Sequence, residues 1–245
     1  MEIKAIKTGQ ITANSQNLVR VLDQYMDTLP EKSVLAISSK IVSLCEGRVV
    51  PLADSSKEKL AREEADYYIP AELNKYHRVL TIKYNTLIMA AGVDSRNTNG
   101  YYVLPPENPQ KTAEEILTYL KQKFSISNLG IIITDSHTVP LRQGSTGVAI
   151  AYCGFDAVNF NPNTKDIFGN KMTKNINVAD SLAVAANFVM GETREQTPLA
   201  IISNIPKIKF SDTAPSAEDI KKLFVPFDDD VYNPVLKSAP WKKGG

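Results

Sequence analysis

The stretch Leu129-Gly-Ile-Ile-Ile-Thr-Asp-Ser-His-Thr138, followed by Arg142-Gln-Gly-Ser-Thr-Gly-Val-Ala149, decides how this chain is read. The runs Leu129 to Ile133 and Val148 to Tyr152 are apolar and β-branched, bounded by Gly130 and Gly147, and predict two strands. A similar run, Val34-Leu-Ala-Ile37, predicts a buried strand that ends in a polar turn, Ser38-Ser39-Lys40, before a second apolar stretch from Ile41 to Leu44. An apolar segment at Ile3 to Ile6 and another at Pro198 to Ile202 add two more strands.

Helical periodicity appears between these runs. Leu18, Val19, Leu22 and Tyr25 share one face, as do Ile116, Leu117, Leu120 and Phe124 behind a capping box at Thr112 and Glu115. Val178 to Met190 predicts an Ala-rich helix stopped by Gly191, and Ser216 to Phe224 a last amphipathic one. Ser55 to Asp66 carries charge at every turn and reads as a solvated helix. Val79 to Ile82 and Leu87 to Ala90 flank Lys83-Tyr-Asn85 as a hairpin. Strands and helices mix without a strict βαβ rhythm, which predicts an α+β fold with mixed sheets. No linker or repeat divides the 245 residues, a length that fits one large domain or two small ones.

Composition excludes whole classes. With 28 Lys and Arg against 27 Asp and Glu, the chain lacks the basic surface of a nucleic-acid binder. No apolar run approaches a membrane span, and Met1 to Gln10 lacks a signal-peptide core. Cys45 and Cys153 are isolated, so neither a disulfide network nor a zinc cage is expected. The expected compartment is the cytoplasm. No GxxxxGK[ST] or GxGxxG motif occurs, so a P-loop or Rossmann site has no support.

The chemistry-bearing positions are polar residues at the ends of apolar strands. Asp94 follows Leu87-Ile-Met-Ala-Ala-Gly-Val93, and Asp135 with Ser136 follows Ile131-Ile-Ile-Thr134. Each Asp suits either a turn or a rigidly held hard-metal or phosphate site. Lys40 and Arg142, beside hydroxyls and glycines, allow the same two readings. Glu192 sits just past the C-terminus of an apolar helix, where the dipole is negative; a bound cation or plain exposure would resolve that conflict. Asp135, Ser136 and His137 are adjacent and cannot form one triad.

The ordered set Ser38-Ser-Lys-Ile-Val-Ser43 with Glu46-Gly-Arg48, Gly92-Val-Asp-Ser-Arg-Asn97, Ile133-Thr-Asp-Ser136 with Arg142 to Ala149, and Val189-Met-Gly-Glu192 resembles the coenzyme F-420-0:L-glutamate ligase (gamma-glutamyl ligase) family. Glu64-Ala-Asp-Tyr-Tyr68, Tyr101-Tyr-Val-Leu104 and Pro240-Trp-Lys-Lys243 resemble a bacterial branch labelled as folate-metabolism gamma-glutamate ligases. The resemblance implies two intertwined α+β subdomains forming a single unit over residues 1–245, and a homodimer. It implies GTP and Mg²⁺ or Mn²⁺, with L-glutamate joined to a small carboxylate acceptor through an acyl phosphate. It gives Asp94 and Asp135 to one metal, Ser136 and Glu192 to a second, and Ser39, Lys40, Asn97, Met190, Gly191, Glu192, Thr193 and Thr197 to the nucleotide. Lys40 and Arg142 become the candidates for stabilising transferred charge. The archaeal pattern carries a nucleotide-contacting Lys where this chain has Leu44. Two other readings compete: a nucleotide-binding homologue without turnover, and a haloacid-dehalogenase-like phosphatase, which would want an acid where His137 stands.

Overall fold

Apolar runs that alternate between two covered faces set the architecture. A computed structural model describes residues 1–13, 16–159, 164–172 and 174–245. Strand β1 (Glu2–Ile6) leads through helix α1 (Leu18–Tyr25) to β2 (Ser33–Ser38) and α2 (Ser39–Glu46). A second group follows: β3 (Val49–Pro51), α3 (Lys57–Glu64), β4 (Tyr67–Ile69), β5 (Leu80–Lys83), β6 (Thr86–Met89) and β7 (Tyr101–Val103). The chain then returns through α4 (Pro109–Phe124) to β8 (Leu129–Thr138) and β9 (Ser145–Cys153). The short β10 (Val158–Asn159) and β11 (Ile176–Asn177) precede α5 (Val178–Met190) and β12 (Leu199–Ser203). Finally come α6 (Ala217–Leu223), α7 (Asn233–Lys237) and β13 (Lys242–Lys243). The fold is α+β, as expected. Among the described residues no helix is long and apolar enough to cross a membrane.

The main sheet runs β1-β12-β2-β8-β9, and its β2–β8 pair is parallel whereas the other pairs are antiparallel. Period-two alternation sends Leu35, Ile37, Ile131 and Ile133 toward α1, α2 and α4, and Val34, Ala36 and Ile132 toward α5. Both faces are therefore buried, which is why these strands are continuously apolar. Each fully buried Leu or Ile here contributes roughly 1.5–3 kcal/mol. Helix α5 lies so close to β9 that a Cβ on Gly147 would stand 2.5 Å from the Ala183 carbonyl oxygen.

A smaller antiparallel sheet, β13-β4-β5-β6, stands beside the β3–β7 ribbon. The hairpin appears where expected, with Tyr84 and Asn85 at φ 51° and 53° as its two-residue turn. The C-terminal segment joins the two sheets. Ser211 donates to the Gly154 carbonyl and the Tyr152 hydroxyl to that of Asp219 (2.9 Å each), while Phe227 stacks on Tyr67 and Lys242–Lys243 pairs with β4.

Four local expectations change. Ser38-Ser39-Lys40 is a strand end entering α2 directly, because Ser38 sits in an extended N-cap conformation and the following apolar residues pack helically. Helix α4 begins earlier than Thr112: Pro109 fits its first position and Asn108 caps it by accepting from the Lys111 amide. The charged helix α3 is not wholly solvated, since Leu60 and Ala61 are buried. Strand β8 continues to Thr138, so Asp135 and Ser136 lie within it and not beyond its end.

Replacing Gly147 by Ala would push α5 off β9 and is expected to lower unfolding stability by about 1–3 kcal/mol, read from urea denaturation. An unchanged midpoint would contradict the close approach.

Candidate active site

The parallel pairing of β2 with β8 stops at Ser38 opposite Thr134, where β2 ends and β8 runs on to Thr138. Side chains and loops at the carboxyl ends of parallel strands are the usual place for ligands. Here β2 runs directly into α2, so Ser39 and Lys40 occupy that helix's first turn, and Ser38 makes no side-chain capping bond to it. In β8 the register against β9 slips between Ile133 and Thr134. The extra residue is Ile150 of β9, so β9 is the strand that bulges, and the local twist of the pair increases there, beside Ile133 and Thr134 of β8. Asp135 and Ser136 follow immediately and line a cavity of about 1100 Å³.

Asp94 reaches the same cavity by a strained route. Ala90, Ala91 and Gly92 take φ of 52°, 51° and 80° in succession. Left-handed backbone costs a non-glycine residue roughly 1–2 kcal/mol. The turn is held by the Ala91 amide donating to Thr81 Oγ1 at 2.7 Å. Gly92 is required there, because a Cβ would also come within 3.0 Å of Asp135 Oδ2. Lys40 Nζ donates to Asp94 Oδ2 at 2.6 Å, and the Ser95 and Arg96 amides donate to Oδ1. Burial, the largest single influence, pushes the Asp94 carboxyl up. The hydrogen bond and charge of Lys40, with the Arg96 amide and guanidinium, outweigh it and bring the pKa to about 2.

Asp135 behaves oppositely. Burial pushes its carboxyl up to about 6, against the Ser136 amide, the Ser39 hydroxyl and the Lys40 charge. Its Oδ1 accepts from the Ser136 amide at 2.8 Å. Two carboxylates thus share one cavity, one neutralised by a lysine and the other poorly solvated.

The loop after α5 completes the wall. Its backbone is stitched to the ends of two strands, with the Thr8 amide donating to the Gln196 carbonyl and the Ser38 amide to that of Pro198 (2.9 Å each). Asn97 Nδ2 donates to the Thr193 carbonyl at 2.6 Å, tying this loop to the segment after Asp94. Thr197 Oγ1 donates to the Met190 carbonyl, and Asn187 Nδ2 holds Glu192 Oε1 (2.5 Å each).

A model of the family described as F420-0:Gamma-glutamyl ligase matches residues 3–204. The chain belongs to this family. It is 33% identical over 230 residues to the coenzyme F420:L-glutamate ligase of Methanococcus maripaludis strain C7, covering 86% of this chain and 91% of that protein. It is also 33% identical over 233 residues to the coenzyme F420:L-glutamate ligase of Methanosarcina mazei, covering 88% and 89%. The protein is accordingly an enzyme of the ligase type, which sets the phosphatase reading aside.

Within this gamma-glutamyl ligase the cavity brings together nearly every residue singled out from sequence: Ser39, Lys40, Asp94, Asn97, Asp135 and Ser136, with Met190 to Thr197. Arg142 is the exception. It lies exposed in the β8–β9 turn and does not line the cavity. Leu44 is buried at the cavity edge. Sequence reasoning missed the Thr8–Ala13 segment, Lys57 and Arg78, which also line it. Gly9 beyond an apolar strand was a usable signal for the first. Nothing local marked Lys57, whose helix reads as evenly charged.

The donors suit a hard divalent cation, being carboxylate and hydroxyl oxygens. Among the described residues, however, no group of three or more His, Cys, Asp or Glu side chains converges as a ready metal cage. A Mg²⁺ ion bound here would take one or two of these carboxylates and complete its shell with water and phosphate oxygens.

Because the unfolded Asp135 ionises near its ordinary 3.8 and the folded one near 6, stability falls as pH rises through that window. Asp135→Asn removes this loss. In chelator-containing buffer it should stabilise the fold by about 1–3 kcal/mol at pH 7.5 and have much less effect at pH 4, read by thermal unfolding. Destabilisation at pH 7.5 would refute the burial argument.

Proposed function

We propose that this ligase forms a gamma-glutamyl amide between L-glutamate and a small carboxylate acceptor, F420-0-like or folate-like, by a GTP- and divalent-metal-dependent route. The observation carrying the reading is the convergence of Lys40, Asp94, Asp135, Ser136 and the 190–197 loop on one cavity where the parallel pairing of β2 with β8 stops.

A carboxylate resists attack by an amine because its carbonyl carbon is electron-rich and its leaving group poor. Transfer of the γ-phosphoryl group of GTP to the acceptor carboxylate releases GDP and gives an acyl phosphate. The glutamate amine then attacks the carbonyl carbon; the C–O bond to phosphate breaks, and phosphate and a proton leave. The first turn of α2 presents backbone N–H groups with no side-chain cap from Ser38, and the positive helix end suits phosphate. Lys40 supplies a point charge that is already positioned by Asp94. Asn97 and Thr193, bonded to each other, fix the nucleotide wall. Asp94, Asp135, Ser136 and Glu192 are the residues that would hold divalent metal. When bound, the metal supplies charge neutralisation of the phosphate oxygens. Arg142, outside the cavity wall, can act only if the β8–β9 turn folds inward.

A homodimer is part of the same proposal. Val184, Phe188 and Val189 project from α5 at 40%, 88% and 41% exposure and give that helix an apolar outer face.

Mass spectrometry of F420-0 and folate acceptors incubated with glutamate, GTP and Mn²⁺ should show a gain of one or more glutamyl residues on one acceptor. Asp135→Asn should abolish that gain and GTP turnover while the protein stays folded; near-normal activity would sink the site assignment. Without nucleotide, Mn²⁺ should bind weakly by calorimetry, and GTP should tighten it at least tenfold. Equally tight binding in its absence would show a preformed cage.

A further inference from the structure

One part of the cavity is not accounted for by the residues assigned above. It is lined by Lys57, the first residue of α3, and by Arg78, just before β5. A cation at the first helical position opposes the helix dipole, so Lys57 is not placed there for the helix's sake. The other charges of α3 have partners: Glu58, which also lines the cavity, meets Arg62 at 2.5 Å, Lys59 meets Glu63 at 3.8 Å and Glu64 meets Arg48 at 2.7 Å. Lys57 instead is half-buried and faces charges of mostly its own sign, those of Arg78, Arg96 and Lys40, with Asp94 as the opposing carboxylate.

Asp94 is already engaged. Lys40 Nζ lies 2.6 Å from its Oδ2 and Arg96 Nε 3.3 Å from its Oδ1. Among the described residues, no hydrogen bond or ion pair is made by the side chain of Lys57 or Arg78. Two of the cations lining the cavity, Lys57 and Arg78, are therefore left without an ion-pair partner among the described residues. Burial also lowers the Lys57 pKa, the sign of a charge held without adequate solvation. Like charges confined in a cleft repel, and their field draws in an anion.

We propose that Lys57 and Arg78 form a second anion subsite, which binds a carboxylate or phosphate group of the acceptor other than the carboxylate that reacts. This rests on the ligase reading and narrows its substrate class to acceptors with at least two anionic groups. The nucleotide is accounted for by α2 and the 190–197 loop, whereas Lys57 and Arg78 come from elements that carry none of those contacts. The two side chains divide the work: Lys57 offers a compact charge inside the cavity, and Arg78, exposed at its edge, a planar fork for paired oxygens.

The test uses the full chain and the variants Lys57→Gln, Arg78→Gln and both together, with circular dichroism to confirm folding. Equilibrium binding of F420-0, L-glutamate and GTP is measured separately, and inorganic phosphate is titrated as a minimal anion. The double variant should bind F420-0 at least tenfold more weakly while GTP and glutamate affinities stay within twofold. A comparable loss for GTP would assign the cations to the nucleotide, and a loss for glutamate alone would assign them to the amino acid. Either result overturns the proposal, as does unchanged F420-0 affinity. If the wild-type chain binds no F420-0, the acceptor reading fails by itself, and phosphate decides the subsite: binding that the substitutions weaken supports it, and binding absent or unaffected overturns it.

Discussion

The parallel pairing of β2 with β8 is the constraint from which the remaining structure follows. Six residue pairs from Ser33–Leu129 to Ser38–Thr134 align the two strands so that the end of β2 lies beside the middle of β8, just before Asp135. Their side chains are buried on both faces, by α1, α2 and α4 on one side and α5 on the other. A register slip would carry Ile131 and Ile133 to the wrong layer and exchange two packed cores, so the pairing is strongly specified. Because the register is fixed, Lys40 and Asp135 are brought to the same cavity although they are far apart in sequence.

Function is built where that regularity stops. The bulge at Ile150 of β9 shifts the register opposite Thr134, and the left-handed turn at Ala90 to Gly92 gives Asp94 its approach. Both are locally unfavourable and are held by their surroundings: the bulge by the continued β8–β9 pairing, the turn by Thr81 and the absence of a Cβ at Gly92. The electrostatics are equally uneven. Lys40 neutralises one carboxylate, the other is left in a poorly solvated pocket, and Lys57 and Arg78 line the cavity without an ion-pair partner among the described residues. Carboxyl groups shifted in opposite directions within one cleft mark a candidate functional site.

The C-terminal segment adds another layer. It lies beyond the matched family region, which ends at residue 204, yet it bonds to Gly154 and Tyr152 on the main sheet and then pairs with β4 on the smaller one. The smaller sheet thereby gains an edge strand, and the elements that carry Arg78 and Asp94 gain a connection to the core.

Much of this was legible along the chain. The apolar runs at Val34 to Ile37 and Leu129 to Ile133 demanded buried strands, because no other local structure hides every second side chain on two sides. Polar residues at their ends, Lys40, Asp94, Asp135 and Ser136, stood out for the same reason, and they do share a cavity. What could not be read was direction and company. Whether Ser38 began a turn or capped a helix, whether Asp135 ended a strand or lay within it, and that Arg142 would lie outside the cavity lining depended on pairings between distant segments. Lys57 is the sharpest case. Its own helix gave it ordinary neighbours of both signs, and only the folding of α3 against the segment bearing Asp94 surrounded it with Arg78, Arg96 and Lys40. Local chemistry chooses which residues can act, since apolar periodicity and polarity are properties of a short stretch. Long-range packing chooses which of them meet, because the field at a charge is the sum over everything the fold brings near it.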